Sequence, residues 1–349
     1  MHSAQGQGGQ RMRDEENRTI KQRQDRDTDL MRVASAFAVV VLHVSDLSTP
    51  WGIICNAAAR FSVPVFVLIS GYYLLPKEAP IKEAARRAGH TLAMALLWSA
   101  AYFAAELLHG ARHYEGLNSL LRYLVTEPVH LWYLWAAAGL YMLTPLLSVF
   151  CRTADQKTYQ YGLAVTFLMG TVITIMLRAG AWPVLEEAVL QTKLPYQTGF
   201  LFLYLAGGYL SKYPVKRPWI ICVLGVMGTC ATILWVLGMP DRAVNLALSF
   251  FAPNTVLAGL GFFVFIKKAA IQIPGREGPL RRAVSTLAEC TGGIYLIHIE
   301  VIRLVGSAMP WINDFPPLLM IVCKSLAVYV LSCVTVKILR MVPLFRHWI

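Results

Sequence analysis

The sequence predicts an all-helical integral membrane protein of about ten transmembrane helices. Of its 349 residues, 56% are hydrophobic and only 15% are charged, and the mean hydropathy is +0.51. That composition leaves too little polar surface to cover a soluble globule. Apolar runs of roughly the 20 residues that cross a bilayer recur along the chain. The formal net charge of +12 does not indicate a nucleic-acid partner, because the basic residues lie between these apolar runs.

The chain divides into a short tail and one membrane domain. Residues 1–29 are polar and charged with no apolar core, which predicts a disordered cytoplasmic tail rather than a signal peptide. Residues 30–349 then form a ten-helix membrane domain. The predicted spans lie near 30–47, 61–75, 89–108, 130–151, 160–178, 199–212, 218–238, 249–268, 283–305 and 318–340. The spans at 61–75 and 199–212 barely reach the minimum of ~17 residues and contain glycines, so broken or tilted helices are expected there.

The distribution of Lys and Arg predicts the orientation of these spans. Of the 32 basic residues, 24 fall on the side of the N-terminal tail and seven on the opposite side, while Lys324 lies within a span. Short basic loops stay in the cytoplasm. Both termini are therefore predicted to be cytoplasmic, in a multi-pass protein of the cytoplasmic (inner) membrane. The seven cysteines form no C-x-x-C pair, so neither a metal site nor a disulfide framework is expected.

The first predicted span carries two polar side chains on one face. Arg32 and His43 are 11 residues apart, or about three helical turns, which places them roughly 16 Å apart along the helix. An ionisable residue inside a membrane is a functional candidate, although an anchoring Arg and a hydrogen-bonded core His fit the spacing equally well. Asp46 follows His43 by one turn, where it either orients the imidazole or is solvated.

Two further histidines lie in or at the edge of apolar runs. His298 is in the outer half of the ninth span, near the predicted depth of His43, and this favours a shared polar cavity as readily as a plain interhelical hydrogen bond. Glu300 and Arg303 follow it closely. His130 opens the fourth span next to Trp132, in a pattern that is first of all typical of an aromatic belt.

Four segments, in this order, resemble the membrane-bound acyltransferase-3 family, close to the type that O-acetylates bacterial surface glycans. They are DLMRVASAFAVVVLHVSD, RFSVPVFVLISGYYLL, HLWYLW and GGIYLIHIEVIR. Single motifs of this kind are weak, whereas four in order are specific. The resemblance also implies ten helices, the number reached from the apolar runs.

The resemblance implies roles for the residues at matching positions. It makes His43 the catalytic base or acyl carrier and places Arg32 at the acyl donor. With the two nearby candidates from the spacing, the predicted catalytic group is His43, Asp46 and His298. Ser70 and Gly71 are structural or donor-facing. The residues assigned to the acceptor or the outer cavity are Arg60, His130, Trp132, Glu300 and Arg303.

The implied reaction moves an acetyl group from cytoplasmic acetyl-CoA, or another short acyl group such as succinyl, to a hydroxyl of a surface or exported polysaccharide or its lipid-linked precursor. Acyl-CoA is then a co-substrate, with no bound cofactor or metal, and the partners are the donor, the glycan and membrane lipid. An exporter or flippase for a glycan is the alternative, since it would use the same polar cavity. Consumption of acyl-CoA separates the two. The oligomeric state is not predicted.

Overall fold

The structure, a computed structural model, is helical throughout the part of the chain that it describes, and no strand occurs there. The described residues are 27–114, 116–126, 129–178, 199–238, 244–269, 278–343 and 345–349. The first seven helices are α1 (27–44), α2 (Pro50–Ala59), α3 (Ser62–Leu74), α4 (Ile81–Leu108), α5 (Leu117–Thr126), α6 (Trp132–Thr153) and α7 (Gln156–Phe167).

The second half of the chain supplies seven further helices. They are α8 (Thr174–Arg178), α9 (Leu201–Lys212), α10 (Pro218–Gly238), α11 (Val244–Ala247), α12 (Pro253–Ala269), α13 (Pro279–Ala308) and α14 (Pro317–Met341). Single 3₁₀ turns cover Val129–Leu131 and Pro310–Asp314, and a π-helical segment, Leu168–Ile173, joins α7 to α8.

Six segments of the described chain are long and apolar enough to cross a membrane, which supports a multi-pass membrane protein. They are Pro50–Leu74, Ile81–Leu108, Trp132–Thr153, Gln156–Met176, Pro218–Gly238 and Pro317–Met341. The other four predicted spans correspond to α1, α9, α12 and α13, which are shorter or carry more charge. The count of ten and the cytoplasmic termini stay predictions.

Two predicted boundaries differ from the structure. Residues 27–29, assigned to the tail, are already helical in α1, where the nearly buried carboxylate of Asp27 lies 4.0 Å from Lys267 Nζ. Residues 1–26 lie outside the described part of the chain. Residues 109–129 connect two predicted spans and are expected to be a loop, but they contain α5. The other long connection between predicted spans, 179–198, lies outside the described residues.

The predicted second span, residues 61–75, is an unbroken helix, α3, and the break in this region lies before it, at residues 60–61 between α2 and α3. Thr49 caps α2 by accepting a hydrogen bond from the Gly52 N–H at 3.0 Å, and Pro50 occupies the first turn. The helix stops at Arg60, and α3 begins at Ser62. Together α2 and α3 reach 25 residues, enough to span a bilayer that α3 alone would not cross.

The chain forms two compact units, each built from separated segments. Unit 1 consists of Met1–Val65, Arg217–Ile233 and Leu257–Ile338, and unit 2 of Phe66–Lys216, Leu234–Val256 and Leu339–Ile349, in each case as far as the structure describes them. The first unit contains α1, α2, α13 and most of α10, α12 and α14. The second contains α4 to α9, α11 and most of α3.

In unit 1, α1 packs against helices from the C-terminal third of the chain. Its Phe37 meets Tyr329 of α14 edge to face at 5.5 Å. Residues 38–40 of α1 are buried and apolar. Elsewhere in the unit, α10 crosses α12 closely, since a Cβ on Gly225 would lie 2.7 Å from the Cα of Gly261. The Phe37 contact packs the middle of α1 against α14.

In unit 2, α3 crosses α9 backbone to backbone. A Cβ on Gly71 would overlap the carbonyl oxygen of Tyr204, and one on Gly207 would overlap that of Leu68. The Tyr204 hydroxyl, fully buried, also shares a 2.8 Å hydrogen bond with the Thr144 hydroxyl of α6. Glycine at position 71 is therefore a requirement of this helix crossing.

Candidate functional site

The candidate site is built around His43, in the last turn of α1. The helix ends at residue 44, where the Ser45 N–H and hydroxyl both donate to the Val41 carbonyl, at 3.0 and 2.7 Å. The His43 side chain is accessible to solvent although protein atoms surround most of it. Its imidazole makes no hydrogen bond to any residue that the structure describes. This combination is characteristic of a side chain that lines a recess and is open to a ligand.

His298 packs directly against His43, so the two predicted histidines come together. Their ring centroids are 5.0 Å apart, with an angle of 52° between the ring planes. His298 is fully buried in α13, whereas His43 is accessible. The side-by-side arrangement confirms the proximity expected from their matching depth in the membrane.

The buried ring of His298 is fixed by the backbone of its own helix. Its Nδ1 lies 2.8 Å from the Tyr295 carbonyl oxygen and 3.1 Å from that of Ile294. A carbonyl oxygen only accepts, so Nδ1 carries the proton and donates it. In a neutral ring Nε2 is then the acceptor nitrogen. The tautomer of His298 is thus set by its own helix.

Arg60 supplies positive charge next to His43. It caps the C-terminal end of α2, with its N–H donating to the Ala57 carbonyl at 3.2 Å. Its Nε–H donates to Asn56 Oδ1 at 2.9 Å, and the Asn56 amide donates in turn to the carbonyl of Leu42, the residue before His43. The sequence assigns Arg60 to the acceptor or the outer cavity, and the structure links it to the end of α1 that carries His43. The break between α2 and α3 creates this placement.

Asn56 is part of the same group and was missed by the sequence analysis. It is 3% exposed, and its Nδ2–H donates to the Leu42 carbonyl at 3.0 Å. The available signal was an amide inside the otherwise apolar stretch WGIICNAAA. The predicted second span begins at residue 61 and leaves out the whole of α2, so the sequence alone does not assign Asn56 to the site.

Asp46 lies close to His43 along the chain but engages a different partner. Its carboxylate accepts from the Ser48 hydroxyl at 2.6 Å and from the Ser48 N–H at 2.9 Å, in the exposed loop before α2. These hydrogen bonds lower the pKa of the Asp46 carboxyl. In this structure the carboxylate therefore shapes the loop and is not hydrogen-bonded to the imidazole. Its predicted catalytic role stays a prediction.

Arg32, Glu300 and Arg303 lie on the helices that carry the two histidines. Arg32 is exposed on α1, about three turns before His43. Glu300 and Arg303 form an ion pair of 2.7 Å on α13, with their side chains 32% and 47% exposed. They are accessible, unlike His298, and their proposed contact with the acceptor stays untested.

The remaining predicted residues belong to unit 2. Ser70 is a half-buried residue whose hydroxyl donates to the Phe66 carbonyl at 3.1 Å within α3. His130, 6% exposed, meets Tyr102 edge to face at 4.7 Å in the turn before α6. The indole of Trp132 stacks on Phe200 at 5.6 Å and 12°. These contacts, with the crossing at Gly71, hold α3, α4, α6 and α9 together.

No group of three or more His, Cys, Asp or Glu residues suited to a metal ion occurs within the described residues. In the comparison with protein families, a sequence model described as an acyltransferase domain matches residues 25–337, which include all four resembling segments. No curated protein and no solved structure matches the chain significantly.

Proposed function

Because the chain belongs to the membrane-bound acyltransferase-3 family, we propose that it transfers a short acyl group from an acyl-CoA to a hydroxyl of a polysaccharide. The proposed donor is cytoplasmic acetyl-CoA. The proposed acceptor is a bacterial surface or exported polysaccharide or its lipid-linked precursor, at the inner membrane. The observation that carries the proposal is the accessible imidazole of His43, in direct ring contact with His298.

The chemistry requires a base at the acceptor hydroxyl. In the direct route, the hydroxyl oxygen attacks the thioester carbonyl carbon while His43 takes the hydroxyl proton. A C–O bond forms, and the C–S bond breaks as the tetrahedral intermediate collapses. The proton then passes from His43 to the departing CoA thiolate. An imidazole without another hydrogen bond is suited to both transfers.

The neighbours of His43 support this step in different ways. Negative charge develops on the thioester oxygen in the tetrahedral intermediate, and we assign its stabilisation to the positive charge of Arg60, which Asn56 links to the end of α1. His298 packs against the imidazole at 5.0 Å and limits its orientations. Arg32, exposed near the predicted cytoplasmic face, offers guanidinium donors to a CoA phosphate.

A covalent relay uses the same residues. In that route the unprotonated nitrogen of His43 attacks the thioester carbonyl carbon, the C–S bond breaks, and CoA leaves as a thiol with the proton of the other ring nitrogen. The acceptor hydroxyl then attacks the acyl-imidazole, the C–N bond breaks, and the hydroxyl proton returns to the ring. Rapid denaturation at neutral pH, after incubation of wild-type protein with labelled donor in the absence of acceptor, separates the routes, because an acyl-imidazole is hydrolysed in acid. Label bound to the wild type and absent from His43→Ala supports the relay, and a lack of bound label supports direct transfer.

The first prediction concerns His43 itself. Membranes containing wild-type protein should incorporate radiolabelled acetyl groups from acetyl-CoA into glycan, and His43→Ala should lower the rate by roughly 10²-fold or more because the base is gone. His109→Ala, at the exposed end of α4, is the matched control and should keep wild-type activity. Expression is compared for all three.

Two results would contradict the proposal. Undiminished transfer by His43→Ala would remove His43 from the chemistry. Wild-type membranes that consume no acyl-CoA with any glycan pool, but move labelled glycan across the bilayer, would instead support the exporter.

A further inference from the structure

One buried amide connects the two groups that the proposed reaction needs. Asn56 lies on α2 with 3% of its surface exposed. Its Nδ2–H donates to the Leu42 carbonyl at 3.0 Å, and its Oδ1 accepts from Arg60 Nε at 2.9 Å. A single side chain therefore bridges the end of α1 and the end of α2.

The two partners of Asn56 are both at helix ends. Leu42 belongs to the last turn of α1, where carbonyls lack partners within the helix, and it directly precedes His43. Arg60 follows the last residue of α2, at the point where that helix breaks. Neither end is held by its own helix alone, so the amide fixes the turn that carries the imidazole relative to the guanidinium.

We propose that Asn56 is a positioning residue that sets the separation between His43 and Arg60, an inference that rests on the proposed acyl transfer. Only a side chain with a donor and an acceptor on one group makes both hydrogen bonds. Aspartate keeps the acceptor for Arg60 and loses the donor for Leu42. Leucine has a similar volume and loses both.

Positioning of this kind affects the turnover step more than binding. His43 has to reach the hydroxyl proton while Arg60 faces the thioester oxygen, and a misplacement of about 1 Å costs on the order of 10²-fold in rate. Asn56→Leu should therefore lower kcat by roughly 10²-fold with little change in the KM for acyl-CoA. The kcat of Asn56→Asp should lie between that of Asn56→Leu and that of the wild type.

The experiment uses the full-length protein purified in detergent, with radiolabelled acetyl-CoA and glycan as substrates. Asn254→Leu is the matched control, because Asn254 is also buried and its Nδ2–H donates to a backbone carbonyl, that of Ala247, at 2.8 Å. It belongs to unit 2, whereas Asn56, Leu42 and Arg60 belong to unit 1. The melting temperature of every variant is measured alongside its kcat.

A double variant separates positioning from general stability. If Asn56 acts through Arg60, the double variant Asn56→Leu/Arg60→Met should lose clearly less kcat than the product of the fold losses of the two single variants. A loss equal to that product overturns the inference. The inference is also overturned if the loss of kcat is simply proportional to the fall in melting temperature, with the same proportion for Asn56→Leu, Asn56→Asp and Asn254→Leu. An inactive wild type would contradict the proposed function instead, and the two failures are thus distinguishable.

Discussion

At the scale of single residues, the surroundings of His43 determine what its imidazole can do. The sequence placed His43 and His298 at one depth, and they are in contact. It does not predict the link from Arg60 through Asn56 to the end of α1, because that link depends on the path of α2 through residues 50–59. The Asp46 carboxylate, one turn away in the sequence, is hydrogen-bonded to Ser48, since the helix has ended and the chain has turned before it.

A test at this scale is the substitution His298→Leu. Leucine is close in size but has no ring nitrogen, so the imidazole of His43 would lose its aromatic neighbour, and position 298 would lose its own hydrogen bond from Nδ1 to the Tyr295 carbonyl. We expect kcat for acyl transfer to fall roughly 10-fold to 10²-fold, measured with labelled acetyl-CoA.

His90→Leu is the control for this prediction, because His90 also stacks on an aromatic ring, that of Trp348 at 5.3 Å, outside the candidate site. Equal activities of the two variants would assign His298 to packing alone.

At the scale of helices, the predicted spans agree best with the observed helices where an apolar run has a proline at one end and charged residues beyond it. The spans predicted at 218–238 and 318–340 match α10 (Pro218–Gly238) and α14 (Pro317–Met341) closely. α4 begins at Ile81 rather than 89 because its first turns carry charged residues that extend beyond the apolar run. α2 and α5 were missed, since helices of ten residues are stabilised by packing more than by their own pattern.

The crossing of α3 and α9 gives a prediction for stability. Gly71→Ala places a methyl group against the Tyr204 carbonyl, so the helices must separate, at a cost of about 1–3 kcal/mol. The melting temperature in detergent should fall.

Gly139→Ala, on α6 in the same unit, is the matched control. Nothing lies within 4 Å of its added Cβ, and alanine favours helix by up to about 1 kcal/mol. A Gly71→Ala protein as stable as Gly139→Ala would show that the two backbones do not touch.

At the scale of the whole molecule, the charge distribution predicts the orientation in the membrane. A reporter enzyme that is active only outside the cytoplasm should be inactive when fused after Ile349 and active when inserted at Ser48. The reason is that 24 of the 32 basic residues lie on the side predicted to be cytoplasmic.

Reporter activity at the C-terminal fusion would contradict an even number of spans beginning in the cytoplasm. Six candidate spans were recognised in the described residues from length and hydropathy, whereas the charged α13 and the short α9 were not. Polar residues such as His298 lower the apolar signal of the very helices that carry the site.

The interleaving of segments in unit 1 has a consequence for biosynthesis. His43 is made early, but His298 follows about 250 residues later, which at 5–20 residues per second is roughly 12 to 50 seconds of translation. During that interval α1 sits in the membrane without the helix that completes its site. Under the proposed mechanism, a chain interrupted before α13 lacks His298 and the helix that carries it, and it should not complete acyl transfer.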